Sequence, residues 1–211
     1  FAREVLEDHL RPHDFRRTGI AWRTSRVRAI GLQHPGFEVV GQHDGQYLLD
    51  DAGKWAVRND VYYYDARIGF KGSLLSPTSN GNSIGPEVGF GHVMGTFHDE
   101  QVLLIKTAMG NRALGFDFRP PSSGRTQPTN QWESLEYKLM VEGARKMLDQ
   151  IAKIVPGYQG QGYEIAGFGW FQGHKDSFSD ELIVEYEKNL ANLITDLRKE
   201  FNVPKMPAVV A

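Results

Sequence analysis

The strongest constraint on the fold is the order of the apolar patterns in the second half of the chain. Gln101–Ala108 (QVLLIKTA) and Tyr163–Phe171 (YEIAGFGWF) are short apolar runs, which are typical of strands covered on both faces. Between and after them, Trp132–Val155 and the segment from Ser179 to Phe201 carry apolar residues at helical spacing. A third apolar run, Pro207–Ala211, follows. This alternation predicts a parallel sheet with helices on both faces.

The first half of the chain is harder to interpret. Trp55–Tyr64 predicts an extended segment or short hairpin around Val61–Tyr64. Pro86 and Glu87 suit the first turn of a helix, which we expect to run to about His98. The composition of Lys71–Gly85, rich in Gly, Ser, Asn and Pro, predicts a surface loop.

Charge and composition exclude several classes of protein. The chain of 211 residues has 24 Lys+Arg against 26 Asp+Glu, so its overall charge attracts neither nucleic acid nor an anionic membrane. Seven arginines precede Leu32, and we interpret this basic opening as a solvated flank with no nucleic-acid role. No apolar run approaches the roughly 18 residues of a membrane span. With no cysteine, thiolate chemistry and disulfides are excluded.

In a parallel sheet, ligands bind beyond the carboxyl ends of the strands. The residues to consider there are Met109–Arg112 after one predicted strand and Gln172–Asp176 after the next. An amide side chain at Gln172 and a backbone N–H at Gly110 are the components of an oxyanion hole, although Gln172 capping a loop and Gly110 making a turn is the simpler alternative.

Four segments of the sequence resemble a known family. They are SIGPEVGFGHVMG (Ser83–Gly95), VLLIKTAMGNRAL (Val102–Leu114), DFRPPSSG (Asp117–Gly124) and GYEIAGFGWFQGHKDS (Gly162–Ser177). Together they resemble the sialate O-acetylesterase domain, related to carbohydrate esterase family six, in the SGNH-hydrolase superfamily. The resemblance covers about Leu48–Ala211 and implies a three-layer, flavodoxin-like α/β/α fold with a parallel sheet, of which this chain holds a part.

The resemblance implies a serine esterase that removes acetyl groups from sugars such as sialic acid or xylan through an acyl-enzyme. It assigns Gly110, Asn111, Gln172 and Gly173 to oxyanion or substrate binding. Asp176 is retained from the family pattern and is a candidate supporting residue. His174 stands where relatives often carry a carboxylate, and its role as a catalytic base or supporting residue competes with that of an ordinary surface residue.

The family's Gly-Gln-Ser-Asn nucleophile motif and Asp-x-x-His motif are not found. Gly41-Gln42-His43-Asp44 has a histidine in place of the serine, and no Asp-x-x-His motif follows the last predicted strand. We therefore expect residues 48–211 to be the central part of an esterase domain truncated at both ends. We expect residues 1–47 to be an unassigned flank, and the chain alone to be inactive.

Other candidates have weaker support. His92 and His98-Asp99 lack metal-ligand spacing, so no metal or other cofactor is expected. Ser122 and Ser123 lack a nucleophile elbow and are interpreted as turn residues. Arg119 would either pair with a carboxylate such as Asp117 or bind a sugar hydroxyl.

A glycan-binding protein without hydrolytic activity is the alternative function, with Trp170 and Tyr62–Tyr64 as stacking surfaces. The expected partner is an acetylated carbohydrate. The resemblance favours a secreted or periplasmic location, while the particular sugar and the oligomeric state stay open.

Overall fold

A central sheet organises the part of the chain that the structure describes. A computed structural model describes the backbone of residues 27–33, together with residues 48–67, 71–81 and 83–211. Within these ranges six strands form one sheet in the order β3-β2-β4-β1-β5-β6. The strands are β1 Val27–Gln33, β2 Arg58–Asp65, β3 Lys71–Leu75, β4 Val102–Lys106, β5 Tyr163–Trp170 and β6 Ala208–Val210. The helices are α1 Pro86–Phe97, α2 Leu135–Asp149, α3 Ile151–Ile154 and α4 Asp180–Glu200.

Five of the six strands are parallel. β2 pairs with β4, β4 with β1, β1 with β5, and β5 with β6, all in parallel register. Their carboxyl ends therefore lie at one edge of the sheet, which we call the carboxyl edge. The α/β class predicted from the alternation is confirmed, with β4, β5, β6, α1 and α4 close to their predicted positions.

The prediction of a loop over Lys71–Gly85 is wrong for its first part, Lys71–Leu75. Lys71–Leu75 forms β3, which pairs antiparallel with β2 and makes the sheet mixed. Its composition predicts a loop, but hydrogen bonds to β2 and the complete burial of Leu75 stabilise a strand here. Such an antiparallel edge strand is common on otherwise parallel sheets.

β1 is a strand that the sequence patterns did not indicate. It lies between β4 and β5, where Ile30 pairs with Leu104 and with Gly167. Its position depends on hydrogen bonds to segments more than 60 residues away in sequence, which periodicity within Val27–Gln33 does not record. The expectation that residues 1–47 form a flank outside the domain is therefore wrong for Val27–Gln33, and the remaining residues of that segment lie outside the described part of the chain.

The helix predicted over Trp132–Val155 is shorter and divided. Ser134 has φ of 65°, a left-handed conformation, so the regular helix begins only at Leu135. The helix α2 ends at Asp149, Gln150 leaves helical geometry, and Ile151 starts the single turn of α3.

The core lies on both faces of the sheet, because alternate strand residues point in opposite directions. On one face, Val61, Tyr63, Val102 and Leu104 pack against Val88 of α1. The other face of the sheet packs against α2, α3 and α4. The strand residues there are Tyr62, Tyr64, Leu103, Ile105, Phe168 and Trp170, and the helix residues in the same clusters include Met147, Leu148, Ile151, Leu193 and Leu197. The result is the three-layer α/β/α arrangement.

Candidate functional site

Two loops at the carboxyl edge carry the predicted site residues. One follows β4 and contains Gly110, Asn111 and Arg112; the other follows β5 and contains Gln172 and Gly173. A hydrogen bond of 2.9 Å from Gln172 Nε2 to the carbonyl oxygen of Arg112 joins the loops. The structure therefore brings the two predicted loops into contact, although β1 lies between β4 and β5 in the sheet.

The loop after β4 passes from the core to the surface within a few residues. Thr107 and Ala108 are buried, whereas Gly110 and Asn111 are exposed. Asn111 has φ of 58°, in the left-handed region that Asn tolerates better than most residues. Among the described residues, neither the Gly110 nor the Asn111 backbone N–H has a hydrogen-bond partner. Two neighbouring N–H groups without protein acceptors can bind an anionic oxygen.

Asp176 lies in the β5 loop and is 1% exposed. Its Oδ2 accepts hydrogen bonds from the Leu114 N–H at 2.8 Å and from Gln172 Nε2 at 2.6 Å. Its Oδ1 accepts a bond from the Gly115 N–H at 2.9 Å. The buried carboxylate thus connects both loops.

The backbone and side chain of Gln172 are fixed from a second direction. Tyr186 of α4 donates its Oη–H to the Gln172 carbonyl oxygen. The same Oη accepts a bond of 3.0 Å from Trp170 Nε1 and lies 3.3 Å from Gln172 Oε1. Burial raises the pKa of the Tyr186 hydroxyl, so it stays protonated and able to donate at neutral pH.

His174 is exposed at the outer end of the β5 loop. Its ring meets the edge of Phe178 at a centroid distance of 4.9 Å. Among the described residues, the backbone carbonyl of His174 accepts a hydrogen bond of 2.8 Å from Ser177 Oγ. The described contacts show no carboxylate on this imidazole, and its catalytic role stays a prediction.

Arginine and carboxylate side chains form a network beside the β4 loop that the sequence did not suggest. Arg67 makes two hydrogen bonds to Glu136, of 3.0 and 3.1 Å. Arg112 lies 3.4 Å from the same carboxylate and 3.2 Å from Asp117. Glu136 lies 69 residues after Arg67 in the sequence, so no local motif relates the two residues. The network anchors the start of α2 to the ends of β2 and β4.

Arg119 has a structural role, but its partner is not Asp117. It is 6% exposed and donates to the carbonyls of Gly115 and Gly124 and to Glu185. Asp117 pairs with Arg112 instead. Because the guanidinium is enclosed and fully engaged, the sugar-hydroxyl alternative has no support.

The two serines of the Pro-rich loop are turn residues, as predicted. Ser123 ends a short 3-10 turn, Pro121–Ser123, and its Oγ accepts a bond from Asn192. The Ser122 N–H donates to Asp196 at 2.9 Å. These bonds fasten the loop to α4.

The prediction that Trp170 and Tyr62–Tyr64 form stacking surfaces for a sugar is wrong. Trp170 is fully buried, and Tyr62, Tyr63 and Tyr64 are 6%, 1% and 7% exposed. Their rings pack in the core layers and present no face to a sugar.

Two kinds of feature are absent from the described part of the chain. It contains no group of three or more His, Cys, Asp or Glu side chains arranged to hold a metal ion. Among those same residues, no helix is long and apolar enough to cross a membrane.

The fold and the two facing loops define an α/β/α protein whose candidate site lies at the carboxyl edge of the sheet. Residues 42–211 match the family described as "Carbohydrate esterase, sialic acid-specific acetylesterase". The chain belongs to this family, as the resemblance in its sequence indicated. It is thus a carbohydrate O-acetylesterase-like chain.

Solved structures agree on the fold. A protein from Arabidopsis thaliana superimposes with a TM-score of 0.58 at 14% identity, covering 88% of this chain and 73% of that protein. A carbohydrate acetylesterase from Xanthomonas citri gives the same TM-score, identity and coverage of this chain, but this chain spans only 40% of its length. A search of curated protein sequences finds no significant match.

Proposed function

We propose that this chain provides the oxyanion-binding half of a carbohydrate O-acetylesterase site. The observation that carries the proposal is the pair of backbone N–H groups at Gly110 and Asn111, which lack hydrogen-bond partners among the described residues and directly precede Arg112, whose carbonyl Gln172 contacts. When a nucleophile attacks an acetyl ester, negative charge develops on the carbonyl oxygen, and fixed N–H donors stabilise it. Gly173, in the facing loop next to Gln172, is a candidate substrate-binding residue in this proposal.

The nucleophilic serine and the histidine base come, in this proposal, from outside residues 48–211. Support comes from the serines of the described carboxyl edge. Ser177 Oγ donates to the His174 carbonyl and Ser123 Oγ accepts from Asn192, so both hydroxyls have structural partners. The segment Gly41-Gln42-His43-Asp44 lacks the serine of the family's nucleophile motif.

The reaction then proceeds in two stages. The serine attacks the acetyl carbonyl while the histidine takes its proton, and the sugar hydroxyl leaves as the histidine returns that proton. Water, activated by the same histidine, attacks the acyl-enzyme and releases acetate. In both stages the oxyanion would bind to the Gly110 and Asn111 N–H groups.

Two substitutions at Asn111 test the assignment in the full-length protein. Gly keeps the N–H and adopts φ of 58° without strain, so N111G should retain most activity on 4-nitrophenyl acetate. Val disfavours this conformation, so N111V should turn the N–H away and lower kcat about 100-fold, as loss of an oxyanion donor does. Equal kcat values for N111V and N111G would contradict the assignment.

The 211-residue chain by itself gives the complementary test. It should hydrolyse 4-nitrophenyl acetate no faster than a heat-denatured sample, whereas the full-length protein should turn over both this ester and an acetylated sugar. A full-length protein that binds acetylated xylan or O-acetyl sialic acid without releasing acetate would instead support the glycan-binding alternative.

A further inference from the structure

The carboxylate of Asp176 accepts three hydrogen bonds while being almost completely buried. Two come from consecutive backbone N–H groups, Leu114 and Gly115, and the third from the Gln172 side chain. Leu114 and Gly115 follow Gly110 by four and five residues in the same loop. Asp176 therefore holds the far side of the loop that carries the proposed oxyanion donors.

The amide of Gln172 has no donor to spare in this arrangement. A primary amide has two N–H bonds, and Nε2 donates to the Arg112 carbonyl and to Asp176. To bind a substrate oxygen, Gln172 would have to release one of these bonds. Gln172 therefore acts as a strut, meaning a side chain that links the two loops through hydrogen bonds and does not contact the substrate.

The loop is also pressed against α4 at the same point. A Cβ on Gly115 would lie 2.6 Å from Leu182 Cδ2, the end of a flexible side chain, and 3.5 Å from Asp176 Oδ1, so the loop packs closely on α4 here. Displacement of Asp176 would remove the hydrogen bonds to Leu114 and Gly115 that hold this segment.

We propose that Asp176 is a positioning residue for the esterase reaction: through Leu114, Gly115 and Gln172, it fixes the loop whose Gly110 and Asn111 N–H groups bind the oxyanion. This inference rests on the proposed function. It gives Gln172 the role of a strut and leaves oxyanion binding to the backbone. It also explains how a carboxylate is buried here: three N–H donors of the described residues satisfy it.

Asp176→Asn is the test, because it keeps the shape and replaces one acceptor oxygen with an NH₂ group that faces donors. Amide hydrogen exchange is measured first, on the 211-residue chain. Exchange at Leu114 and Gly115 should accelerate at least 10-fold in D176N. In Met147→Ala, a core substitution in α2 that lowers stability away from the loop, these two amides should stay protected relative to the global rate.

Kinetics of the full-length protein supply the second readout. D176N should lower kcat on 4-nitrophenyl acetate about 10- to 100-fold with little change in KM, because the loop acts on the transition state. M147A should leave kcat near the wild-type value below its melting temperature. Unchanged exchange at Leu114 and Gly115 in D176N, or a kcat no lower than that of M147A, would overturn the positioning role.

The two readouts separate this inference from the proposed function. A wild-type full-length protein without turnover on any acetyl ester would remove the proposed function and, with it, the catalytic consequence of Asp176. Turnover in the wild type combined with a kcat loss in Gln172→Ala that exceeds that of D176N, without faster exchange at Leu114, would assign Gln172 as a direct donor and overturn the strut.

Discussion

Glu87 and Lys106 form an ion pair inside the protein, with Glu87 Oε1 3.2 Å from Lys106 Nζ. Their side chains are only 2% and 8% exposed. Glu87 belongs to the first turn of α1, and Lys106 is the last residue of β4. The pair therefore fastens a helix to the strand end from which the Gly110–Asn111 loop departs.

Breaking this pair from one side should be costly. Lys106→Met leaves the Glu87 carboxylate buried without its partner, and we expect the free energy of unfolding to fall by about 3–5 kcal/mol. The double variant K106M/E87L removes both charges and should recover most of that loss. Urea denaturation of the three proteins measures this. A double variant less stable than K106M would show that the pair itself, and not the unpaired charge, is the source of the effect.

Two tyrosine hydroxyls should differ in their contribution to stability. Tyr186→Phe removes the acceptor of buried Trp170 Nε1 and the donor to Gln172, and should cost about 1–3 kcal/mol. Tyr63 Oη is buried without a hydrogen-bond partner among the described residues, so Tyr63→Phe should be neutral or slightly stabilising. Thermal unfolding of both variants checks the contrast, which equal losses would refute.

Gly91 should not tolerate alanine, although alanine favours helices. A Cβ at this position of α1 would overlap Leu75 Cδ2 and lie 3.0 Å from Leu104 Cδ1. We expect G91A to lower the free energy of unfolding by about 1–3 kcal/mol through overpacking. Val93→Ala, at an exposed position of the same helix, is the control and should change stability little. A G91A protein as stable as V93A would contradict the close packing of α1 on β3.

The Arg119–Glu185 contact should make stability pH-dependent at acidic pH. The hydrogen bond from Arg119 holds the pKa of the Glu185 carboxyl below its ordinary value of 4.5. A lowered pKa in the folded state stabilises the protein above the unfolded-state pKa, and this contribution is lost as the pH falls through the folded-state pKa.

We therefore expect the wild type to exceed Glu185→Gln in stability at pH 6, and the difference to disappear as the pH falls well below 4.5. Because Glu185 is 48% exposed, the difference should be less than about 1 kcal/mol. Denaturation at several pH values, with exposed Glu187→Gln as control, tests the sign. A difference that grows on acidification would be inconsistent with the contact.

Local sequence patterns predicted the elements in which burial is either continuous, as in a buried strand, or periodic, as in an amphipathic helix. The run at Val102–Lys106 is buried at every position, so it could be recognised as a strand without its partners. The helix α4 has a clear apolar stripe and begins after Ser179, whose Oγ accepts the Leu182 N–H. Local patterns did not predict β1 and β3, because their residue types are mixed and pairing with other segments stabilises them.

The candidate site divides in the same way. That the loop of Gly110 and Asn111 and the loop of Gln172 and Gly173 lie at the same edge follows from parallel strands having their carboxyl ends at one edge, which the order of elements predicts. The role of Asp176 does not follow from spacing. Its carboxylate meets Leu114 and Gly115, which lie 62 and 61 residues away in sequence.

By itself, the sequence determined the α/β class, the family and the two loops in which the site lies, because these depend on periodicity and on short motifs. Only the tertiary structure decided which side chains are buried, which N–H groups of the described residues lack acceptors, and which carboxylate joins the loops. Those properties arise from contacts between distant segments, and a hydrogen bond forms only when the fold brings its donor and acceptor within about 3 Å of each other.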